Sequence, residues 1–429
     1  MSSLRPAVRN LGLGRGTAPL LYGLLMVLGA GLGWVKQLVF AKALGPEGMG
    51  LYSTFILVYG YGGFLAHLGL RDGMLREASM LRGRGQEDEA RVICDQAVGT
   101  ALLSGLGLLA LYLPLVWLLW GDEPQLADPL LWGGVAGLAN CLFIFSTVEL
   151  RIYSRDVPFA AMTALRALAT LGLGLVVVHF AGATGLLPLE TAVFAALFWL
   201  SRRIWLKKAS FGLAPLHRIK TLLKVGTPQM LSGFLVFTSL NVERWFVLAA
   251  LGLDWFGQYS FGMTIAVGGV LFLNIVQAYL GPKLLLTYGR NPDIKLLFRK
   301  LVKLALAMAG LGGLGWLSLF VLVPLVGQRW FNAYRPGLEV MFIVAPGVAA
   351  QMASWFSWLF YAEGKTYINL LITGFIILAA IGLSAWGYLH HKDIFYFATV
   401  YSTCRVMELG LSLGTALFYL SLARAKRHR

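Results

Sequence analysis

Long apolar stretches alternate with short polar connections along nearly the whole chain. A helix that crosses a bilayer needs about 20 predominantly apolar residues. Twelve stretches meet this requirement, and an extension of the first to Ala43 fits the pattern as well. They lie at about 17–35, 51–70, 92–120, 129–148, 157–180, 186–200, 226–248, 257–280, 301–326, 337–361, 366–389 and 394–421. The pattern therefore predicts an all-α, polytopic membrane protein, in which the sixth span is short and the least well bounded.

Composition supports lipid as the solvent of this chain. Its 429 residues are 58% hydrophobic and 13% charged, with a mean hydropathy of +0.72. Soluble domains are about 25% charged. The net charge of +16 is spread over short connections between spans, so it indicates membrane topology and not a nucleic-acid partner. The three cysteines are isolated, which predicts no disulfide framework, metal site or cofactor.

The basic residues indicate the orientation. With the N-terminus inside, 28 of the 36 lysines and arginines fall in segments on the cytoplasmic side and 6 on the other side. Arg166 and Arg405 lie within spans. This bias follows the positive-inside rule, so both termini are expected in the cytoplasm.

An internal repeat relates the two halves. The segment at 43–53 matches the segment at 250–260 at six of eleven positions. A glycine-led block also opens both the first span, at 16–23, and the seventh, at 226–233. Six spans separate the copies, so both halves enter the membrane in the same sense and form a parallel repeat.

The repeat predicts three parts. Residues 1–201 form an N-terminal six-helix lobe, residues 202–225 form a basic cytoplasmic linker, and residues 226–429 form a C-terminal six-helix lobe with a basic tail. Two facing lobes with a cleft between them are typical of a rocking transporter.

The first repeat block resembles a known family signature. Residues 41–52, AKALGPEGMGLY, are similar to the Ala-Arg-x-Leu-Gly-Pro-Glu-x-Phe-Gly-x-Tyr motif of the polysaccharide-biosynthesis, or O-antigen (Wzx-type), flippases of the multidrug/oligosaccharidyl-lipid/polysaccharide (MOP) exporter superfamily. Residues 68–76 resemble the end of the second span in that family. Lys42 replaces the usual Arg, and Leu253 stands in the second copy where Pro is expected.

The resemblance implies a MATE-like fold that works by alternating access. It also implies that the chain resides in the bacterial inner membrane and moves an undecaprenyl-pyrophosphate-linked oligosaccharide to the periplasmic leaflet, for O-antigen or exopolysaccharide assembly. Membrane lipids, a polysaccharide polymerase and glycosyltransferases are the further partners that it implies.

Arg166, Arg405 and Glu408 lie inside predicted spans, where a charge costs about 2.5–3.5 kcal/mol at the centre of the bilayer. Arg166 and Arg405 are candidates for binding the pyrophosphate, with Glu408 pairing with or tuning Arg405. An Arg405–Glu408 pair that only ties helices together is an equal alternative, because residues three apart share a helical face.

Five further residues complete the candidate set. Lys36 and Glu243 each lie seven residues before a repeat block, and with Arg244 they are candidates for a gate or for ion coupling. Interfacial snorkelling of long side chains is the alternative. Arg71 and Arg151 are candidates for attracting the pyrophosphate at inner span ends, although topology alone also favours arginine there.

Motifs for catalysis are missing from the sequence. There is no GxxxxGK[ST] nucleotide loop, HExxH or GxSxG, so we expect a transporter and not an enzyme. A multidrug cation antiporter of the same superfamily is the main alternative. A membrane-embedded glycan polymerase or ligase is a weaker alternative, because the connections predicted on the outer side are short. A lipid II flippase is a further alternative, but that branch usually has two more spans than the twelve predicted here.

Overall fold

A computed structural model describes residues 17–206, 209–290 and 293–427. Within these ranges the chain is helical and contains no strand, which confirms the all-α prediction. The α-helices are α1 Thr17–His67, α2 Leu70–Gly83, α3 Glu87–Trp120, α4 Pro124–Ile152, α5 Asp156–Ile204, α6 Leu216–Ser239, α7 Val242–Arg290, α8 Ile294–Leu322, α9 Gln328–Trp330, α10 Arg335–Ala353, α11 Ser357–Ala362, α12 Thr366–Leu389 and α13 Ile394–Arg427. A π-turn at Val323–Gly327 and a 3₁₀ turn at Asn332–Tyr334 connect α8 to α10.

Three of the long helices are broken at a glycine. Gly45, Gly182 and Gly252 have φ values of 70°, 59° and 77° with extended ψ, a conformation that glycine adopts without steric cost. At 1.5 Å per residue, the 49 residues of 19–67 would extend about 74 Å as one straight helix, more than twice the apolar thickness of a bilayer. The break at Gly45 therefore separates two crossings.

Division at these glycines gives twelve apolar segments in the described part of the chain when α6 and the start of α7 are counted as one bent crossing, as the hydropathy pattern predicted. Seven helices are by themselves long and apolar enough to cross a membrane, and an eighth crossing is formed by α6 with the start of α7, which meet at a bend of 41°. The sixth predicted span is longer than expected, since its helix runs from Gly182 to Ile204.

Many large apolar side chains on these helices face outward. Leu111 is 75% exposed and Phe180 is 80% exposed, and similar side chains occur on most of the long helices. Exposed apolar surface on this scale requires lipid around it. The chain is a multi-pass membrane protein.

The chain packs into two compact units. The first contains the described residues up to Leu44 together with those of 51–234, and the second contains Gly45–Gly50 together with the described residues from Leu235 onward. These units reflect which parts of the backbone lie close together, so the short Gly45–Gly50 segment is grouped apart from its neighbours in the chain. The lobe limits that the repeat suggests, at 201 and 226, stay predictions.

Candidate functional site

A buried ion pair lies within the first unit. Nζ of Lys36 is 2.5 Å from Oε1 of Glu190, and the hydroxyl of Tyr52 donates a short hydrogen bond to the same oxygen. Lys36 is 8% exposed and Glu190 is 1% exposed. The long side chain of Lys36 thus ends on a carboxylate within its own unit instead of snorkelling to a headgroup.

Arg166 lies close to this pair but has no carboxylate partner. Its guanidinium is 5.9 Å from the ring centroids of Phe143 and Phe194, which is cation–π distance. Phe194 follows Glu190 by one helical turn, so the ring that Arg166 contacts and the carboxyl group of the ion pair lie on the same face of one helix. In the described ranges no acidic group comes within ion-pair distance of Arg166, and its side chain is half-buried.

The second unit holds a different arrangement of charges. Glu243 is buried and accepts a hydrogen bond of 3.3 Å from the hydroxyl of Tyr259. Arg405 is 1% exposed, pairs with Glu408 at 2.5 Å, and donates to the carbonyl oxygen of Ser239 at 2.7 Å. Ser239 is the last residue of α6, so Arg405 stabilises the carbonyl at the break between α6 and α7. The Nε of Arg244 is buried without a hydrogen-bond partner in the described part of the chain.

The two units share one motif with the charges exchanged. The repeat pairs Tyr52 with Tyr259 and Lys36 with Glu243. In both units the tyrosine hydroxyl donates to a buried carboxylate. In the first unit that carboxylate is Glu190, on the last helix of the predicted lobe, and the cation is on the first helix. In the second unit the carboxylate is on the first helix, and the last helix carries Arg405.

The structure places the other predicted arginines at helix ends. Arg71 forms an ion pair of 2.9 Å with the adjacent Asp72 in α2, which offsets part of its charge. Arg151 is exposed near the end of α4, with its guanidinium 5.3 Å from the ring centroid of Phe159. Neither arginine contacts the Lys36–Glu190 pair, and their role in attracting cargo stays a prediction.

Sequence reasoning missed Glu190 and a buried ionic cluster around Arg202, the first residue of the predicted linker. Glu190 was detectable as the one acid in the short sixth span. Arg202 was counted as a linker cation, but it is buried at the end of α5, 3.0 Å from Asp95 and 3.5 Å from Glu149. No local pattern indicates this cluster, because its members lie on three separate helices.

No protein-family model matches the sequence, and no curated protein matches it closely enough to count as a relative. Solved structures do match. An inward-facing structure of a multidrug resistance MATE family transporter of the MOP superfamily superimposes with a TM-score of 0.74 at 14% identity, over 94% of this chain and 95% of that chain. An outward-facing MATE structure gives a TM-score of 0.62 at 13% identity, over 95% of both chains.

A third solved structure is a MOP superfamily transporter from Pyrococcus furiosus Vc1, whose binding pocket is described as having reverse polarity. It matches with a TM-score of 0.64 at 12% identity, over 94% of this chain and 95% of that chain. At such identities the likeness concerns the fold. The chain has a MATE-like fold, as the resemblance implied.

Proposed function

We propose that this chain is an alternating-access transporter that moves an anionic, lipid-linked oligosaccharide across the bacterial inner membrane. The cargo would be an undecaprenyl-pyrophosphate-linked glycan for surface polysaccharide assembly, supplied by glycosyltransferases and consumed by a polymerase. Both termini would face the cytoplasm, in keeping with the distribution of Lys and Arg. The MATE-like fold supports the transport mode, since solved structures with this fold include an inward-facing and an outward-facing form.

The observation that carries the proposal is the uncompensated charge of Arg166. Lys36 is matched by Glu190, and Arg405 is matched by Glu408. Arg166 has only aromatic neighbours among the described contacts. An unmatched cation within a span is costly, so it is retained where it faces a cavity or a ligand of opposite charge. A pyrophosphate is such a ligand, and arginine presents a planar array of donors suited to phosphate oxygens.

Replacing Arg166 by alanine is expected to reduce translocation of the lipid-linked glycan by about 10- to 100-fold, the size of one lost charge-assisted hydrogen-bonding partner. Arg166→Lys keeps the charge and should retain an intermediate rate. The measurement is glycan exposure on the periplasmic side of a strain that depends on this gene, at matched protein levels. The control is Arg329→Ala, which removes an exposed arginine in the short helix α9. Wild-type translocation in Arg166→Ala would contradict the proposal.

A multidrug or cation antiporter is the second candidate. It is favoured by the similarity in fold to solved structures of multidrug resistance MATE family transporters. Glu243 favours it as well. This carboxyl group is buried, is hydrogen-bonded to Tyr259, and has no cation within ion-pair distance in the described part of the chain. A buried carboxyl group without a cation can exchange a proton, which is the chemistry that an antiporter needs.

The second candidate makes a separate prediction for Glu243. If the chain exports cations, wild-type vesicles should expel ethidium when a pH gradient is imposed, and Glu243→Gln should remove at least about 90% of that rate because the amide cannot exchange a proton. Glu47→Gln, at an exposed position of the first repeat block, is the matched control. Absence of ethidium export by the wild-type chain would reject this candidate and leave the first one untouched.

A further inference from the structure

Glu190 holds Lys36 through a single oxygen atom. Oε1 accepts one hydrogen bond from the ammonium group of Lys36, at 2.5 Å, and another from the hydroxyl of Tyr52. The three groups come from three segments of the first unit, and all three are buried. Burying two charges is costly unless they are in close, hydrogen-bonded contact. The short contact with Glu190 therefore neutralises the positive charge of Lys36.

Aromatic rings and a second cation surround the Lys36–Glu190 pair, so cationic groups outnumber carboxylates there. Nζ of Lys36 is 5.8 Å from the ring centroid of Phe40 and 5.6 Å from that of Tyr52. Arg166, at 5.9 Å from the ring centroid of Phe194, contributes a second cation. Tyr59 packs edge-on against Phe194 and interacts electrostatically with both Glu190 and Arg166. The cluster therefore contains two cations, Lys36 and Arg166, and one anion, Glu190, and aromatic side chains pack around them.

We propose that Glu190 occupies the position of a cargo phosphate in the empty transporter, and that anionic cargo binds by displacing the Glu190 carboxylate from Lys36. This inference rests on the proposed function and extends it to a specific competitor within the site. An ammonium group binds phosphate as a point charge, so Lys36 accepts either anion but not both. Release of cargo then returns Glu190 to Lys36, and the site does not stay empty with two uncompensated cations.

The competing explanation is a structural ion pair that only ties α1 to α5. The two explanations differ in what loss of the carboxylate does to anion affinity. A structural pair predicts lower stability and unchanged or weaker binding of phosphate compounds. Displacement predicts tighter binding, because the cargo no longer competes with an internal carboxylate.

The test uses the purified full-length chain in lipid nanodiscs with inorganic pyrophosphate as the probe. Glu190→Gln keeps the size of the side chain and an oxygen acceptor for Tyr52 while removing the charge. Its Kd for pyrophosphate is expected to fall by about tenfold relative to wild type, and Lys36→Gln added to it should abolish the gain. The matched control is Glu339→Gln, at an exposed position of α10, which should leave the Kd unchanged.

An unchanged or weaker affinity in folded Glu190→Gln overturns the inference. If that variant does not fold, Glu190→Asp keeps the charge and shortens the side chain by one methylene, and it should tighten pyrophosphate binding by a few fold. Unchanged affinity in Glu190→Asp then overturns the inference. Translocation by Arg166→Ala reports on the proposed function independently: if that variant is impaired while Glu190→Gln binds no more tightly, the proposed function stands and the displacement does not.

Discussion

Arg202→Ala is expected to lower the free energy of unfolding by about 3–5 kcal/mol, the usual cost of removing one partner from a buried ion pair. The guanidinium lies between Asp95 and Glu149 and also donates to the carbonyl oxygen of Ser210 at 2.6 Å. Its loss would leave two buried carboxylates without a cation. Thermal unfolding in detergent, followed by tryptophan fluorescence, measures the change.

The neighbouring residue provides the matched control for Arg202. Arg203 is exposed at the end of the same helix, so Arg203→Ala should change the free energy of unfolding by less than about 0.5 kcal/mol. Equal effects of the two substitutions would show that the cluster contributes nothing beyond surface charge. The triple substitution Asp95→Asn/Glu149→Gln/Arg202→Met should recover part of the loss, since a neutral cluster leaves no buried charge unpaired.

Gly50→Ala and Gly257→Ala are each expected to destabilise the second unit by about 3 kcal/mol, at the upper end of the usual cost of overpacking. A Cβ at Gly50 would lie well inside 3.0 Å of the carbonyl oxygen of Leu253, and a Cβ at Gly257 would be as close to that of Pro46. Real Cβ atoms essentially never approach other atoms so closely. Both obstructing atoms belong to the backbone, so relief would require a shift of the chain.

The internal repeat adds a further expectation for these glycines. Gly50 corresponds to Gly257 in the repeat, and Pro46 corresponds to Leu253. The Gly50–Leu253 and Gly257–Pro46 contacts are therefore equivalent, as paired contacts are across a two-fold axis. The two substitutions should therefore have similar effects, and the double substitution should cost less than their sum because one displacement relieves both contacts. Gly31→Ala is the control, since a Cβ there has no neighbour within 4 Å. Full additivity would contradict a shared contact.

The same glycine-rich blocks illustrate how much a local pattern can reveal. The match between 43–53 and 250–260 is visible in the sequence, and the structure gives the two blocks the same glycine break, with φ values of 70° and 77°. The repeat does not reveal that Gly45–Gly50 packs with the second unit. That grouping depends on contacts between residues about 200 positions apart.

Sequence by itself determined the number and approximate limits of the spans, because the bilayer imposes a minimum apolar length on each helix and that length is a local property. It also located the charges that need an explanation, such as Arg166 and Arg405, since any charge in an apolar stretch is conspicuous. Only the tertiary structure decided how those charges are satisfied. Lys36 is bound to Glu190, 154 positions away, and Arg202 is a buried cluster member, although its position in a basic stretch suggested a linker. Hydropathy gives the depth of a residue in the membrane, whereas electrostatic pairing depends on which helices become neighbours, and this follows from the packing of the whole unit.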